Sequence, residues 1–478
     1  MTAVEAALPA SNARRLLPWL VAVAFFMQAL DTTILNTAVP AIARALGVAP
    51  LSMKAVLSSY TLSLAVFIPI SGWMANRFGT RRVFAGAIGL FTAGSVLCGL
   101  SRDIHWLVAF RVLQGCGGAM MVPVGRLTLV RTFDRSELVR AMSFVAVPGL
   151  LGPLLGPIAG GLITSYTHWS VVFFINAPIG LAGLYLVERY LPDFREAETP
   201  PLDFAGLALF SSGIALLSYV LEVFGEHRLS GAAIAALLLL SLALLAGYGL
   251  HSARTPQPLL NLALFRIRTF RAAVNGGFFT RISIGGIPFL LPLLFQVGLG
   301  YTPVQSGLMI MSQAFAAMSL KMTMPRILAR FGYRAVLISN TLMLGVLILS
   351  FATIGPVTPV WLIVAQVFAF GLFSSLQYTS MNTLVYADVI GAAAGDASTI
   401  ASTGQQLSLS FAVAVASLVT ALFVPDRFHT APGELLGGIH EALVVLGLAT
   451  LLSTLAFSGL RRDDGSAVSR HRQAGAAG

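Results

Sequence analysis

A single carboxylate, Asp31, stands in the middle of an otherwise apolar run, FMQALDTTILN (26–36). An acid at that depth in hydrocarbon costs roughly 2.5–3.5 kcal/mol even on a lenient insertion scale, so something in the chain must use it. Two uses are open. Asp31 is either a structural acid held permanently by a cation, or a proton-binding group on a wet central cavity. In the second case desolvation raises its affinity for a proton and an approaching cation lowers it. Arg111, in the apolar stretch RVLQGCGGAMMVP (111–123), is the candidate partner in the same half of the chain. Gln114 and Gly115 follow it at three and four residues, on one helical face. The plainer alternative for Arg111 is a packing arginine satisfied by backbone carbonyls. Gln28, Asp31, Thr32, Leu35 and Asn36 recur at helical spacing, and the stripe is polar apart from Leu35. It points to a cavity wall carrying Gln28 and Asn36, with Gln114 contributing from the other run.

A membrane must position these residues. Of 478 residues 56% are hydrophobic and only 10% charged, and the mean hydropathy is +0.84, more apolar surface than a soluble core uses. Fourteen apolar segments between residues 18 and 460 are each long enough to cross a hydrocarbon layer of about 30 Å. They lack the alternation of membrane strands, so helices are expected. Arg14 and Arg15 precede a first segment too long for the core of a cleavable signal, and none is expected. Cys98 and Cys116 both fall in spans, which implies no disulfide framework.

The formal charge of +11 is topological rather than a nucleic-acid footprint. Of the 30 Lys and Arg, 22 fall in loops on the side of the N-terminus, five on the opposite side and three inside spans. That asymmetry predicts an inner or cytoplasmic membrane, crossed many times, with both termini in the cytoplasm.

The chain also repeats itself. GWMANRFGTRRV (72–83) follows the second span and MPRILARFGYRAV (324–336) the tenth, and both contain R-F-G-x-R-x-V. Equivalent placement requires two extra spans at the centre of a six-plus-six duplication, the arrangement that puts a substrate cavity between the halves at mid-membrane. The expected divisions are a six-helix bundle over 1–192, a linker and two inserted helices over 193–260, a second six-helix bundle over 261–462 and a cytoplasmic tail over 463–478. The tail segment SAVSRHRQAGAAG (466–478) reads as disordered on composition.

These motifs resemble the major facilitator superfamily, in its fourteen-span drug:proton antiporter branch of the EmrB/QacA type. LDTTILNTAVPAIA (30–43) is similar to the first-helix signature of that branch, RVLQGCGGAMMVP to its fourth-helix motif and GLLGPLLGPIAGG (149–161) to its antiporter motif. The resemblance implies an all-α major facilitator fold of two six-helix bundles plus two central helices. It also implies proton-coupled export by alternating access, with Asp31 and Arg111 as the coupling residues. Gly72, Asn76, Arg77, Gly79 and Arg81 match the gating-loop motif, and Gly149, Gly152, Pro153, Gly156, Pro157, Gly160 and Gly161 the antiporter motif. The glycines of the latter recur at three- and four-residue steps, so one helix face is nearly bare and invites a helix from the other half. One position departs: the family carries Asp where this chain has Asn76. An amide retains hydrogen bonds but loses the charge-assisted part, about half the interaction, so a looser gate is expected.

Fixed charges in the spans constrain the cargo. Arg111, Arg281 and Lys321 against Asp31 leave the interior net positive, which favours an anionic or chelate-type substrate with Arg281 and Lys321 as contacts in the second half. The resemblance supplies citrate or iron–citrate as the example of that class. Against it, Lys321 sits near a span end and can snorkel, and Arg281 can pair with a helix end. The alternatives for the chain are a multidrug exporter of lipophilic cations or dyes and, on the same fold, a proton symporter for uptake. An ATP-driven pump would need G-x-x-x-x-G-K-[ST], and neither Lys54 nor Lys321 lies in that context. No H-E-x-x-H or G-x-S-x-G occurs, so no catalytic residue, cofactor or metal site is expected. The expected partners are the small molecule, protons and the bilayer, with no nucleic acid; a periplasmic adaptor stays open.

Overall fold

The computed structural model describes residues 11–133, 135–196, 199, 201–223, 229–389, 393–424 and 432–466, and among these no strand occurs. The segment 467–478, most of the expected disordered tail, lies outside the described residues. Fourteen helical spans follow in order. They are α1 (Ser11–Leu46), α2 (Lys54–Phe78), α3 (Thr80–Gly99), α4 (Ile104–Thr132), α5 (Arg135–Tyr166) and α6 (Val171–Tyr190). Next come α7 (Phe204–Val223), α8 (Gly231–Arg254), α9 (Arg268–Gly298) and α10 (Pro303–Ser319). The last four are α11 (Met324–Phe351), α12 (Val360–Leu384), α13 (Ala393–Leu422) and α14 (Gly433–Ser458). Twelve of them are long and apolar enough to span a membrane on their own among the described residues. The other two are α5, which runs 32 residues, and α10, whose 17 residues are prolonged by a 3₁₀ turn at Leu320–Met322.

Local sequence sets the helix ends. Asp103 accepts from the backbone N–H of His105 and Trp106 at 2.8 and 3.0 Å and starts α4. Thr302 and Gln305 form a reciprocal capping box at α10. Both copies of R-F-G turn a corner on a left-handed glycine, Gly79 at φ +95° and Gly332 at φ +72°. A side chain at either place would strain the backbone. Because the corner falls at Gly332, the first two turns of α11 prolong α10, as the end of α2 does in the first copy.

The packing repeats with the sequence. Helix α1 lies on α5 as α9 lies on α13, α2 on α4 as α10 on α12, and α3 on α6 as α11 on α14. The halves meet through α2 with α13 and α5 with α10. One core joins both halves at the face opposite the N-terminus, with Leu51, Phe173, Phe295, Phe370 and Ile439 among its fully or nearly buried members. Toward the N-terminal face the core separates into one cluster around Phe84 and Met121 in the first half and another around Phe270 and Phe457 in the second, which also takes in Ala65 of α2. The bundle is therefore sealed on the far face and divided on the near one.

The hairpin α7–α8 sits at the rim. Its α7 touches α2 and α13, Lys54 donates to the Glu222 carbonyl at 2.6 Å, and Leu239, Leu240 and Leu242 of α8 face outward. Asp203 closes its entrance, accepting from Gly206 N–H at 2.8 Å, Leu259 N–H at 3.1 Å and the His251 ring at 2.7 Å. Burial alone would raise the Asp203 carboxyl, but these donors outweigh it and hold the group below its ordinary 3.8. A lowered carboxylate contributes stability above its ordinary pKa and loses it as pH falls through the folded value. Asp203→Ala is therefore expected to cost about 1 kcal/mol at neutral pH. The gap to the parent should narrow as the pH is taken below the ordinary carboxylate range, in thermal unfolding of the detergent-solubilised protein; a gap independent of pH would remove the charge from this account.

Candidate functional site

The two sequence-defined polar runs meet inside the first half. Arg111 Nη1 donates to Asp31 Oδ2 at 2.6 Å, with 1% and 2% of the side chains exposed. The same nitrogen reaches Gln114 Oε1 at 2.8 Å, and Gln114 Nε2 donates to Asp31 Oδ1 at 2.8 Å. Three further partners complete the enclosure. Asn176 Nδ2 bridges Asp31 Oδ1 at 3.2 Å and Ser95 Oγ at 3.0 Å, Arg111 Nε reaches the Val56 carbonyl at 3.3 Å, and the guanidinium lies 4.1 Å from the centre of the Tyr60 ring. Every charge is met by a counter-charge, a neutral dipole or a π face, which is what tolerates an ion pair in low dielectric.

A cavity of about 320 Å³ lies between the halves. Its wall takes Thr33, Asn36 and Thr37 from α1, Pro153 and Pro157 from α5, Pro288 from α9, Gln313 from α10, Lys321 from the turn after it, and Ser374, Tyr378 and Asn382 from α12. That volume falls in the range of small-molecule sites. Of the three prolines on the wall, Pro153 and Pro157 lie inside α5, where each removes a helix hydrogen bond, and Pro288 lies in the first turn after Gly286. The Thr37 and Ser374 hydroxyls are buried with no hydrogen-bond partner among the described residues. No carboxylate belongs to the described wall, and Lys321 is its charged member. Arg281 sits one layer behind, 6% exposed. It donates to Asn382 Oδ1 at 2.7 Å and stands 5.5 Å from the Tyr378 ring centre, with no carboxylate in ion-pair reach among the described residues.

The expected site residues thus divide. Asn36 and Lys321 line the cavity, whereas Asp31 and Gln114 lie within the first half and Gln28 is off the described wall. The reason is rotational: Thr33, Asn36 and Thr37 turn toward the other half, while Asp31 points back at α4 and α6. The antiporter motif divides too. Gly152, Gly156 and Gly160 face α1 of the same half; an added Cβ at Gly152 would stand 2.7 Å from Leu30 N, and one at Gly160 would stand 2.5 Å from Ile34 O. One position further round, Pro153 and Pro157 reach the cavity and Gly161 meets α10, where a Cβ would lie 2.5 Å from Pro303 O. Gly149 borders open space. In the loop between α2 and α3, Gly72 and Arg77 are exposed, Asn76 Oδ1 accepts from Arg131 Nη2 at 3.0 Å, and Arg81 N–H donates to Asp193 at 3.0 Å across Gly79.

Sequence reasoning missed Ser95, Asn176, Tyr378 and Asn382. Asn176 left a trace, as a lone amide within the apolar stretch VVFFINAPIG (171–180), and Asn382 as the polar centre of SMNTL (380–384). A tyrosine facing a buried arginine leaves none.

With this geometry in place, a comparison with known families is decisive: the profile of the Major Facilitator Superfamily matches residues 21–413. The chain belongs to that superfamily. Among its relatives, MdtD of Serratia proteamaculans strain 568, a protein named for multidrug resistance, is 40% identical over 93% of both chains. MdtD of Escherichia coli strain 55989 is 41% identical over 95% of this chain and 97% of its own. A solved D-xylose–proton symporter covers 94% of this chain and 98% of its own at a TM-score of 0.66 and 14% identity, which is likeness of fold alone. This superfamily member is a multi-pass membrane transporter, and its spans serve a transport path rather than an enzyme.

Two outcomes test the site. Arg111→Ala leaves Asp31, and Asp31→Asn leaves Arg111, buried without a counter-charge, so each single substitution should cost about 3–5 kcal/mol. Thermal unfolding in detergent compares them, and an Arg111→Ala protein as stable as the parent would remove the pair from its structural role. Gly161→Leu forces α5 away from Pro303 and should weaken the far-face seal by about 1–3 kcal/mol. The readout is faster modification of a cysteine placed at Thr37, in a protein freed of Cys98 and Cys116, by an impermeant thiol reagent on that face.

Proposed function

We propose that the chain is a proton-coupled antiporter that exports small anionic or chelate-type molecules by alternating access, with the N-terminal face in the cytoplasm. The observation that carries the reading is the charge of the cavity: Lys321 on the wall, Arg281 directly behind it and no acid on the described wall. An anion entering this space meets an exposed Lys321 on the wall and the buried Arg281 behind it, with no carboxylate on the described wall to offset them. The near face, where the cores are divided, is then the loading side, and the basic loops give it the cytoplasmic sign.

Asp31 and Arg111 supply the coupling. Protonation removes the anion that holds the Arg111 guanidinium and three amide or guanidinium donors lose their acceptor charge, so the packing of α1 against α4 and α6 changes. The same helix carries Thr33, which donates to the Gly152 carbonyl at 3.1 Å, and Asn36 on the cavity wall. A shift of α1 therefore reaches both the cargo and the Gly152 turn of α5. A second reading, export of lipophilic cations, draws on the relatives named for multidrug resistance and on Tyr378, Ile310 and Met318 along the wall.

Proton release from the purified protein separates the two. Adding citrate or ferric citrate should release protons, ethidium should not, and Asp31→Asn should abolish the signal. Release with ethidium alone would reverse the choice of cargo, and an undiminished signal in Asp31→Asn would move the proton site elsewhere.

A further inference from the structure

The stretch Leu191–Glu196 leaves α6 and, instead of running free toward the inserted hairpin, folds back over the R-F-G corner between α2 and α3. Thr80 N–H donates to the Phe194 carbonyl at 3.1 Å and Glu196 N–H to the Asn76 carbonyl at 3.1 Å. Thr80 Oγ1 donates to the Pro192 carbonyl at 3.1 Å and accepts from Phe194 N–H at 3.0 Å. Arg81 contributes its N–H to Asp193 and its Nε to the Leu191 carbonyl. Gly79 is bare where this happens, since an added Cβ would strike the Asp193 carboxylate. The outermost contact is ionic. Arg131, in the last turn of α4, uses one nitrogen to reach Asn76 Oδ1 at 3.0 Å and Glu196 Oε1 at 2.6 Å.

The second half carries the same device with other residues. After α14 the chain again folds back onto its own corner, Gly465 lying against the Tyr333 ring. Asp464 accepts from Arg461 N–H at 2.8 Å and from Arg268 Nε at 2.9 Å. There the position equivalent to Asn76 is Ala329, which has no polar side chain. Asn76 is neutral and cannot balance a guanidinium; Glu196 can.

We infer that residues 191–196 are a clasp that locks the gating loop of the first half, and that Glu196 is the positioning residue that provides its negative charge through Arg131. The clasp fastens the near-face ends of α2, α3 and α4 to the exit of α6, so these helices move as one plate when the halves rock. It also gives the departing linker a fixed origin at the loop that gates the near face. Arg131 and Glu196 are 24% and 42% exposed, so water and salt weaken the pair, and its effect is local order rather than bulk stability.

Hydrogen–deuterium exchange of the full-length protein in detergent tests this with no substrate present, so its outcome is independent of the cargo reading. In Glu196→Gln the peptides over 76–82 and 191–196 should exchange about fivefold faster, while 329–335 of the second copy stays unchanged. Glu196→Asp should behave nearly as the parent. Glu196→Gln combined with Asn76→Asp should return to parent rates, because a carboxylate again stands beside Arg131. Unchanged exchange in Glu196→Gln overturns the inference. So does equal acceleration in the second copy, or faster exchange that Asn76→Asp leaves uncorrected, since either takes the charge on Glu196 out of the mechanism.

Discussion

In a hydrocarbon interior the Asp31 carboxylate and the Arg111 guanidinium each require the other, and the first half is built around that requirement. Their 2.6 Å contact fixes the facing of α1 against α4. Gln114, Asn176, Ser95 and the Tyr60 ring then take up the remaining hydrogen-bonding and π capacity from α4, α6, α3 and α2. Five of the six helices of this half thus converge on one charge pair, and breaking it exposes an ion to low dielectric. The second half has no such pair at depth among the described residues. Its buried polar cluster is neutral, Asn340 and Gln377 joined at 2.8 Å with Thr341. Charge at the centre of the protein is divided accordingly, with a compensated pair in one half and, in the other, an arginine without a carboxylate partner among the described residues.

Because α1 must turn Asp31 inward, Thr33, Asn36 and Thr37 are left facing the cavity, and α5 completes the same logic. Its glycines at 152, 156 and 160 admit the α1 backbone, while Pro153, Pro157 and Gly161, one step further round, meet the cavity and the opposite half. A single helix therefore serves as both packing surface and cavity wall. The contact with α1 is nearly backbone on backbone, as is the one with α10 at Gly161, so few soft side chains lie between these three helices.

The near face is held differently. There the core separates into two clusters and each half has its own returning segment, 191–196 in one and 461–466 in the other, laid over a left-handed glycine corner. These contacts tie the ends of several helices of one half to one another at that face. The inserted hairpin hangs from the first of these segments and leans on α2 and α13, so it lies along the line where the halves meet without entering the cavity.

The sequence by itself determined the membrane, the number of spans, the six-plus-six repeat and the family. Those features follow from composition, from segment length against bilayer thickness and from a motif spaced along the chain, all of which are one-dimensional. It also singled out Asp31 and Arg111, because a charge in an apolar run is conspicuous wherever the helix faces. Only the tertiary structure decided which way each polar residue looks: that Gln114 serves the ion pair, that Asn36 and Lys321 line the cavity, and that Arg281 stands behind Tyr378 and Asn382. Likewise Asn76 reads in sequence as a lost charge and a looser gate, yet Glu196, 120 positions later in the numbering, brings a carboxylate to the same arginine. Helical facing and contacts between distant segments depend on how helices are rotated and docked, and no local pattern of residue types encodes that.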